Sequence, residues 1–202
     1  MTITAAWLRK RTLFTALLKN TSGIAAVEFA MVLPIMLVLF FGTVEISNGV
    51  AVYRKVTLMA HTLSDLTSQS QEVQSSSDLV NFFAASTGVM MPYSPTPITQ
   101  NIMEIWVNPS GQARVQWSYP TAMTAGTVVT IPPELAVPNP PNGTYVIYSQ
   151  VSYVYTPVVG YVMSSAGVTL SDFSYTRPRV STCVLYNPSL PLATPTPACP
   201  TS

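Results

Sequence analysis

Gly23-Ile24-Ala25-Ala26-Val27-Glu28-Phe29 opens an apolar segment that continues to Val44. An apolar run of about 20 residues is long enough to cross the ~30 Å hydrocarbon core of a bilayer as a helix. Glu28 lies near the start of this run, and a carboxylate inside a membrane-spanning helix costs roughly 2.5–3.5 kcal/mol on insertion scales. A charge kept at that cost predicts a role for Glu28 in processing or assembly, beyond simple anchoring.

The charges that flank the apolar segment predict its orientation in the membrane. The basic residues before it are Arg9, Lys10, Arg11 and Lys19, and residues 1–23 contain no acid. Because basic flanks stay on the cytoplasmic side, we expect a basic leader over 1–23, a single transmembrane helix over 24–44, and a C-terminal domain outside the cytoplasm. Arg54 and Lys55 lie just beyond the far end and are expected to act as interfacial anchors.

A cleavable secretory signal is the first alternative to a retained span. Its apolar region would be about 7–15 residues long and would end at a small-residue cleavage site. Here the apolar run is longer, and Phe40-Phe41-Gly42-Thr43-Val44-Glu45 is a poor cleavage site. The sequence therefore favours a helix that stays in the membrane.

The composition of the remaining chain indicates an exported, β-rich domain. Only 8% of the 202 residues are charged, against about 25% in ordinary soluble domains. Ser, Thr, Tyr, Val and Pro dominate, and β-branched and aromatic residues suit a pleated sheet. Charges beyond residue 45 are nearly balanced, so no basic face indicates binding to nucleic acid.

Two helical elements are expected over residues 45–90. Apolar residues recur at spacings of three and four, which predicts one face of an amphipathic stalk that continues the membrane helix: Ile46, Val50, Tyr53, Val56, Ala60, Leu63 and Leu66. Ser75-Ser76-Ser77-Asp78 then supplies an N-cap for a short second helix that ends near Gly88.

Residues 91–186 are expected to form an antiparallel β domain. Alternating apolar runs separated by turn residues predict its strands: Ile98–Val107, Ala113–Tyr119, Thr127–Ile131, Tyr145–Thr156, Val168–Thr176 and Arg179–Tyr186. The short turns favour a meandering sheet, and the Pro-rich tail over 187–202 is expected to be irregular. The fold class is therefore α+β, with a long N-terminal helix, a short second helix and a sheet.

The inventory of reactive residues argues against an enzyme. The one histidine, His61, falls on the predicted stalk, so a Ser-His pair in the β domain would lack its base. Lys55 is the last lysine, which excludes a Ser-Lys pair there. Glu104, Glu134 and Asp172 have no spacing that pairs two carboxylates. No metal-ligand spacing and no phosphate-binding loop is present, so neither a metal nor a cofactor is expected.

The two cysteines, Cys183 and Cys199, both lie in the part of the chain expected to be exported. In an oxidising compartment they can close a loop worth about 3 kcal/mol in the chain-entropy model. We expect a Cys183–Cys199 disulfide; an intermolecular link or free thiols are the alternatives.

The segment from Gly23 to Pro34 resembles the N-terminal segment of TadE/TadG-like proteins of the Flp (tight adherence) pilus system. The resemblance implies a pilin-like fold and a prepilin-type signal, in which a prepilin peptidase cuts between Gly23 and Ile24 at the bacterial inner membrane. Glu28 would then be the fifth residue of the mature chain. The new α-amine of Ile24, or that of a neighbouring subunit, could pair with this carboxylate and offset its desolvation.

The resemblance implies a minor pilin or pseudopilin that acts in pilus assembly or in a related secretion apparatus. Its partners would be inner-membrane lipid, the prepilin peptidase, other pilin-type subunits and the Tad secretion machinery. Two alternatives remain open at this point. One is an uncleaved, single-pass envelope structural protein of the TadG-like kind, and the other, less favoured, is a membrane-anchored enzyme.

Overall fold

The computed structural model describes residues 22–73, 76–120, 123–131, 143–157 and 167–186 of the chain. The helices in these ranges are α1 (Ser22–Ser68) and α2 (Ser76–Gly88). The strands are β1 (Glu72–Val73), β2 (Ile98–Val107), β3 (Ala113–Tyr119), β4 (Val128–Val129), β5 (Thr144–Tyr155), β6 (Val168–Thr176) and β7 (Leu185–Tyr186). The chain divides into two compact units, with the boundary between Ser47 and Asn48.

The first unit contains the apolar part of α1. The helix continues through Pro34, although a proline in a helix interior removes one backbone donor. Every side chain from residue 23 to residue 44 is exposed. The segment is long and apolar enough to cross a membrane by length and composition, and none of its most apolar window is buried. A soluble protein's core helix would bury such a window, and its exposure here is compatible with a single-pass membrane anchor.

The second unit contains a five-stranded antiparallel sheet with the strand order β4-β3-β2-β5-β6. The α+β class and the order of a long helix, a short helix and an antiparallel sheet are thus confirmed. The simple meander is not confirmed, because β5 lies next to β2 in the sheet and not next to β4. Strand β4 has two residues, whereas β2 offers β5 a partner along its whole length, from Ile98 opposite Tyr153 to Val107 opposite Thr144. Four strands therefore have a Greek-key order.

The expected strand over Arg179–Tyr186 is wrong for most of its length. Only Leu185 and Tyr186 are extended, and this β7 pairs in parallel with β1, which the sequence did not predict. The preceding residues follow the end of α1, where the Arg179 amide donates to the Ser68 carbonyl at 2.9 Å. This hydrogen bond to the end of α1 is made by a backbone amide that a longer strand would use in a ladder.

One face of the sheet packs on residues 48–68 of α1 and on α2. The predicted stripe is correct at Val56, Ala60 and Leu63, which are fully buried. It is wrong at Ile46, Val50 and Tyr53, which are 71%, 48% and 44% exposed. The buried face is instead completed by Val52, Met59, Ser64 and Thr67. The apolar repeat alone could not show this, because two of the positions facing the sheet carry small hydroxyl side chains.

Candidate functional site

The residues expected to form the processing site, Gly23, Ile24 and Glu28, lie in the first two turns of α1. The helix begins at Ser22, so Gly23 and Ile24 lie in its first turn. A methyl group added at Gly23 would meet no atom within 4 Å. Glu28 is exposed and lies four residues beyond Ile24, a rise of about 6 Å along a helix. The glycine is therefore open to approach, and an amine at Ile24 would lie one turn from the carboxylate.

The helix beyond Glu28 offers a continuous apolar surface. Its large exposed side chains include Phe29, Met31, Ile35, Val38, Leu39 and Phe40. Soluble monomers rarely expose contiguous apolar patches beyond a few hundred Å². Lipid or the apolar face of another helix would cover this surface favourably.

Lys55 makes a different contact from the one expected. Its ammonium group donates to the Val89 carbonyl at 3.0 Å and to the Met91 carbonyl at 2.7 Å. The side chain thus connects α1 to the turn that follows α2, a tertiary contact that the sequence did not predict, and its role as an interfacial anchor stays a prediction.

Hydroxyl groups form most of the polar contacts between α1 and the sheet. The Ser64 hydroxyl lies 3.0 Å from the hydroxyls of both Ser174 and Thr176 on β6. Thr57 donates to the Asp172 carboxylate on the same strand. These short side chains allow close packing of helix and sheet while each buried polar group keeps a partner.

His61 is also in contact with the sheet, which corrects the reasoning that separated it from the β domain. Its Nδ1 lies 2.9 Å from the Ser174 hydroxyl, because α1 packs along β6. The pair does not have the geometry of an accessible nucleophile, since Ser174 is only 3% exposed and also bonds to Ser64. Its contacts are those of a packed interface between helix and strand.

A polar groove of about 280 Å³ lies beside this pair. It is lined by His61, Thr62, Asp65, Thr176 and Arg179. The Arg179 guanidinium is 2.5 Å from the Asp65 carboxylate, and both side chains are well exposed. An exposed ion pair of this kind contributes little to stability, so its main effect is to position the chain after β6.

The most perturbed acid is Glu104, in the middle of β2. It is fully buried, and burial raises its pKa to about 8, although two hydrogen bonds act in the opposite direction. The Val184 amide donates to one carboxyl oxygen at 2.6 Å, and the Trp117 indole donates to the other at 3.0 Å. From the sequence, Glu104 was notable only as a carboxylate with no partner at a catalytic spacing.

Aromatic rings form a second cluster on the sheet face turned away from the helices. Tyr148 stacks on Phe173 and lies close to Tyr175, with ring centroids 6.1 Å and 4.8 Å apart. A groove of about 280 Å³ beside these rings is lined by Met103, Ile105, Val129, Thr130, Tyr148, Gln150 and Tyr175. By contrast, Tyr145 and Tyr153 are buried on the helix face, so the tyrosines of β5 divide between core and surface.

The residues expected to be relevant to a metal or a disulfide lie partly inside and partly outside the described ranges. Within the described ranges, no group of three His, Cys, Asp or Glu side chains could hold a metal ion. Cys183 is buried beside Tyr145, whereas Cys199 lies outside the described residues. The Cys183–Cys199 bridge therefore stays a prediction.

A comparison with known families identifies the helical segment. The model of the family described as TadE-like protein matches residues 23–63, about a fifth of the chain. No curated protein and no solved structure matches the chain significantly. The matched range contains Gly23, Ile24, Glu28 and the apolar surface, and it ends within the part of α1 that packs on the sheet. Residues 23–63 therefore carry the segment characteristic of the TadE-like family, which confirms the resemblance over this range.

Proposed function

We propose that this chain is a TadE-like minor pilin or pseudopilin that acts in assembly of a Flp-type pilus or a related secretion apparatus. It is anchored in the bacterial inner membrane by residues 24–44. Its N-terminus is cytoplasmic, and the domain formed by residues 48–186 is periplasmic. Its partners are other pilin-type subunits and the Tad machinery, and its role is structural.

One observation carries this proposal: the TadE-like segment coincides with an uncovered apolar helix that has a single carboxylate near its start. A simple anchor has no need of Glu28, whose cost in lipid is roughly 2.5–3.5 kcal/mol. A helix that assembles laterally can neutralise this carboxylate with an amine from the same or a neighbouring subunit. Pairing with the amine of a neighbouring subunit would favour association over an isolated helix in lipid.

Cleavage between Gly23 and Ile24 creates that amine. The basic leader holds the bond at the cytoplasmic face, and Gly23 lets a peptidase approach the backbone. Because Gly23 lies in the first turn of α1, that turn has to unwind before the bond can be cut. First turns lack intrahelical partners for their amides, so this opening is inexpensive.

N-terminal sequencing of the membrane-extracted chain tests the proposal, using cells with and without a prepilin peptidase. A start at Ile24 that depends on the peptidase supports it. An intact Met1 in both strains would refute processing and favour the uncleaved TadG-like protein.

A pair of glycine variants separates recognition from packing. A side chain at Gly23 or Gly42 starts in open space. Gly23→Val should block cleavage because the peptidase meets the new side chain, while Gly42→Val in the same helix should be processed normally. Equal processing of the two variants would contradict the assigned site.

The absence of catalysis is part of the proposal and needs its own test. Ser174→Ala removes the only described hydroxyl that contacts His61 Nδ1. We expect pilus production to continue in this variant, since Ser174 is buried and acts in packing. Loss of pili from a variant that still folds and reaches the membrane would favour the enzyme alternative.

A further inference from the structure

Glu104 joins parts of the fold that are far apart in sequence. Its two oxygens accept the Val184 amide at 2.6 Å and the Trp117 indole N–H at 3.0 Å. The same indole N–H also lies 2.9 Å from the Val184 carbonyl. One carboxyl group and one indole therefore hold both backbone polar groups of Val184.

Val184 belongs to the segment 183–186, in which the Cys183 carbonyl also accepts the Ser181 hydroxyl at 2.6 Å. The Leu185 amide donates to the Gln71 carbonyl at 3.2 Å, and β7 pairs with β1 over two residues. The Tyr186 ring packs against the Trp117 ring at an interplanar angle of 31°, with the ring centroids 5.2 Å apart. The hydrogen bonds of Glu104 and Trp117 with the Val184 backbone are thus a central attachment of this segment, which precedes residues 187–202 in the chain.

The surroundings of Glu104 offer no compensating charge. Among the described residues, its partners are two N–H donors and neither is a cation. The apolar cluster around Trp117 and Val184 is supplied by α1, α2, β1, β2 and β5 through Leu63, Leu79, Val73, Ile102 and Ile147. A charge on the carboxyl would therefore be solvated only by these two hydrogen bonds.

In the described ranges, the ionisable groups near Glu104 are tyrosines and one further glutamate, and none of these side chains is a cation. Burial, and then the charge of Glu104, raises the pKa of Tyr145 on β5 to about 12. Burial, and then Tyr119, raises the pKa of Tyr186. Glu72 on β1 lies opposite Leu185. None of these groups can neutralise a negative charge on Glu104.

We propose that Glu104 is a proton-linked latch: in its neutral form it holds residues 183–186 against the sheet, and the opening of this segment is coupled to loss of its proton. In the closed state, burial keeps the carboxyl protonated up to about pH 8. Once the segment moves aside and water enters, the carboxyl regains the ordinary acidity of a glutamate. The closed state therefore binds one proton that the open state releases.

The sign of the pH effect follows from this linkage. Below the ordinary carboxyl range both states are protonated and the latch is strongest. Between there and about pH 8, each unit of pH favours opening about tenfold, because only the open state is ionised. Above about pH 8 both states are ionised, and opening reaches a plateau.

Hydrogen exchange measured by mass spectrometry tests the latch on the full chain in detergent micelles. After correction for the intrinsic rate, protection of a peptide covering 183–186 should fall about tenfold per pH unit from pH 5.5 to 7.5. Peptides from the centre of β5 should keep their protection. A flat profile for 183–186 in the wild-type protein would overturn the proposal without any variant.

Two glutamine variants assign the effect to its residue. Glu104→Gln cannot ionise, so its protection over 183–186 should be independent of pH. Glu72→Gln removes the carboxylate opposite Leu185 and should keep the wild-type slope. The same slope in Glu104→Gln as in wild type overturns the latch, as does a slope that disappears in Glu72→Gln.

A third variant serves if Glu104→Gln does not fold, as judged by circular dichroism. Trp117→Phe removes a donor that lowers the pKa of Glu104. Its plateau should therefore begin at a higher pH than in wild type. A plateau at the same or a lower pH would contradict the proposal.

Discussion

The hydroxyl of Ser149, in the middle of β5, donates to the backbone carbonyl of Ala60 in α1 at 2.6 Å, and both residues are fully buried. The small side chains at these two positions allow the helix and the sheet to approach closely. This bond and the Ser64 contacts with β6 connect the stalk part of α1 to neighbouring strands. The helix end matched by the TadE-like family is therefore an integral part of the sheet domain.

Removing the Ser149 hydroxyl should weaken this contact. A net intramolecular hydrogen bond contributes about 0.5–1.5 kcal/mol, so we expect Ser149→Ala to lower the free energy of unfolding by about that amount. Denaturant unfolding followed by tryptophan fluorescence measures the loss. Ser152→Ala, on the opposite face of the same strand, is the control and should have little effect. Equal losses in both variants would contradict the assigned contact.

The buried face of α1 predicts a contrast between two leucines. Leu63 is fully buried, whereas Leu58 is 53% exposed on the same helix. Leu63→Ala should cost about 2–5 kcal/mol, the range for truncating a buried leucine. Leu58→Ala should cost far less, because it leaves no cavity. Thermal unfolding of the two variants side by side checks this, and a larger shift for Leu58→Ala would show that the helix packs through another face.

Glu104 predicts how global stability depends on pH. Burial raises its folded-state pKa to about 8, so the folded protein binds a proton that the unfolded chain releases. Its contribution to stability is fully present below the ordinary carboxyl pKa and is lost as pH rises toward 8. The free energy of unfolding should therefore decline over this window in wild type.

The Glu104→Gln variant shows how much of this decline in the free energy of unfolding is due to Glu104. The variant has no proton to lose at this position, so its profile between about pH 5 and 8 should be flatter than that of wild type. Denaturant titrations at a series of pH values measure both profiles. Parallel profiles would mean that other groups cause the pH dependence.

We expect loss of the charge of Glu28 to impair assembly, whereas loss of the charge of Glu45 in the same helix should not. Glu28→Gln removes the charge that would pair with a subunit amine, so we expect fewer surface pili and less co-purification with pilin-type subunits. Glu45→Gln, at the other end of the span, is the matched control and should assemble. Counting pili by electron microscopy decides between these outcomes. Normal pili in the Glu28→Gln strain would show that Glu28 has no role in assembly and that the helix serves only as a membrane anchor.

The apolar surface of α1 predicts strong dependence on the membrane. An arginine at the centre of a spanning helix costs about 2.5–3.5 kcal/mol on insertion scales, so Leu37→Arg should reduce the fraction that resists alkaline carbonate extraction. Val180→Arg, at an exposed position of the sheet domain, should remain in the membrane fraction. Equal extraction of both variants would contradict a membrane-spanning segment.

Several features could be read from local sequence because local forces decide them. The apolar run predicted the long helix, the residues around Asp78 and Gly88 bounded α2, and period-two alternation located the long strands. The sequence of β2 could also have indicated that Glu104 is buried. This residue lies at period-two spacing from Ile102 and Trp106, so all three side chains are on the same face of the strand. That signal shows burial only if the face of the sheet is already known.

Composition and periodicity by themselves determined an α+β chain with one apolar helix, and the motif at residues 23–34 indicated a TadE-like N-terminal segment. Only the tertiary structure decided that β2 lies at the centre of the sheet, that His61 meets Ser174, and that Glu104 holds Val184. These contacts join residues far apart in sequence, and their free energy depends on burial and on the partner's position. Neither quantity exists until the helix has packed on the sheet, so no local pattern could encode them.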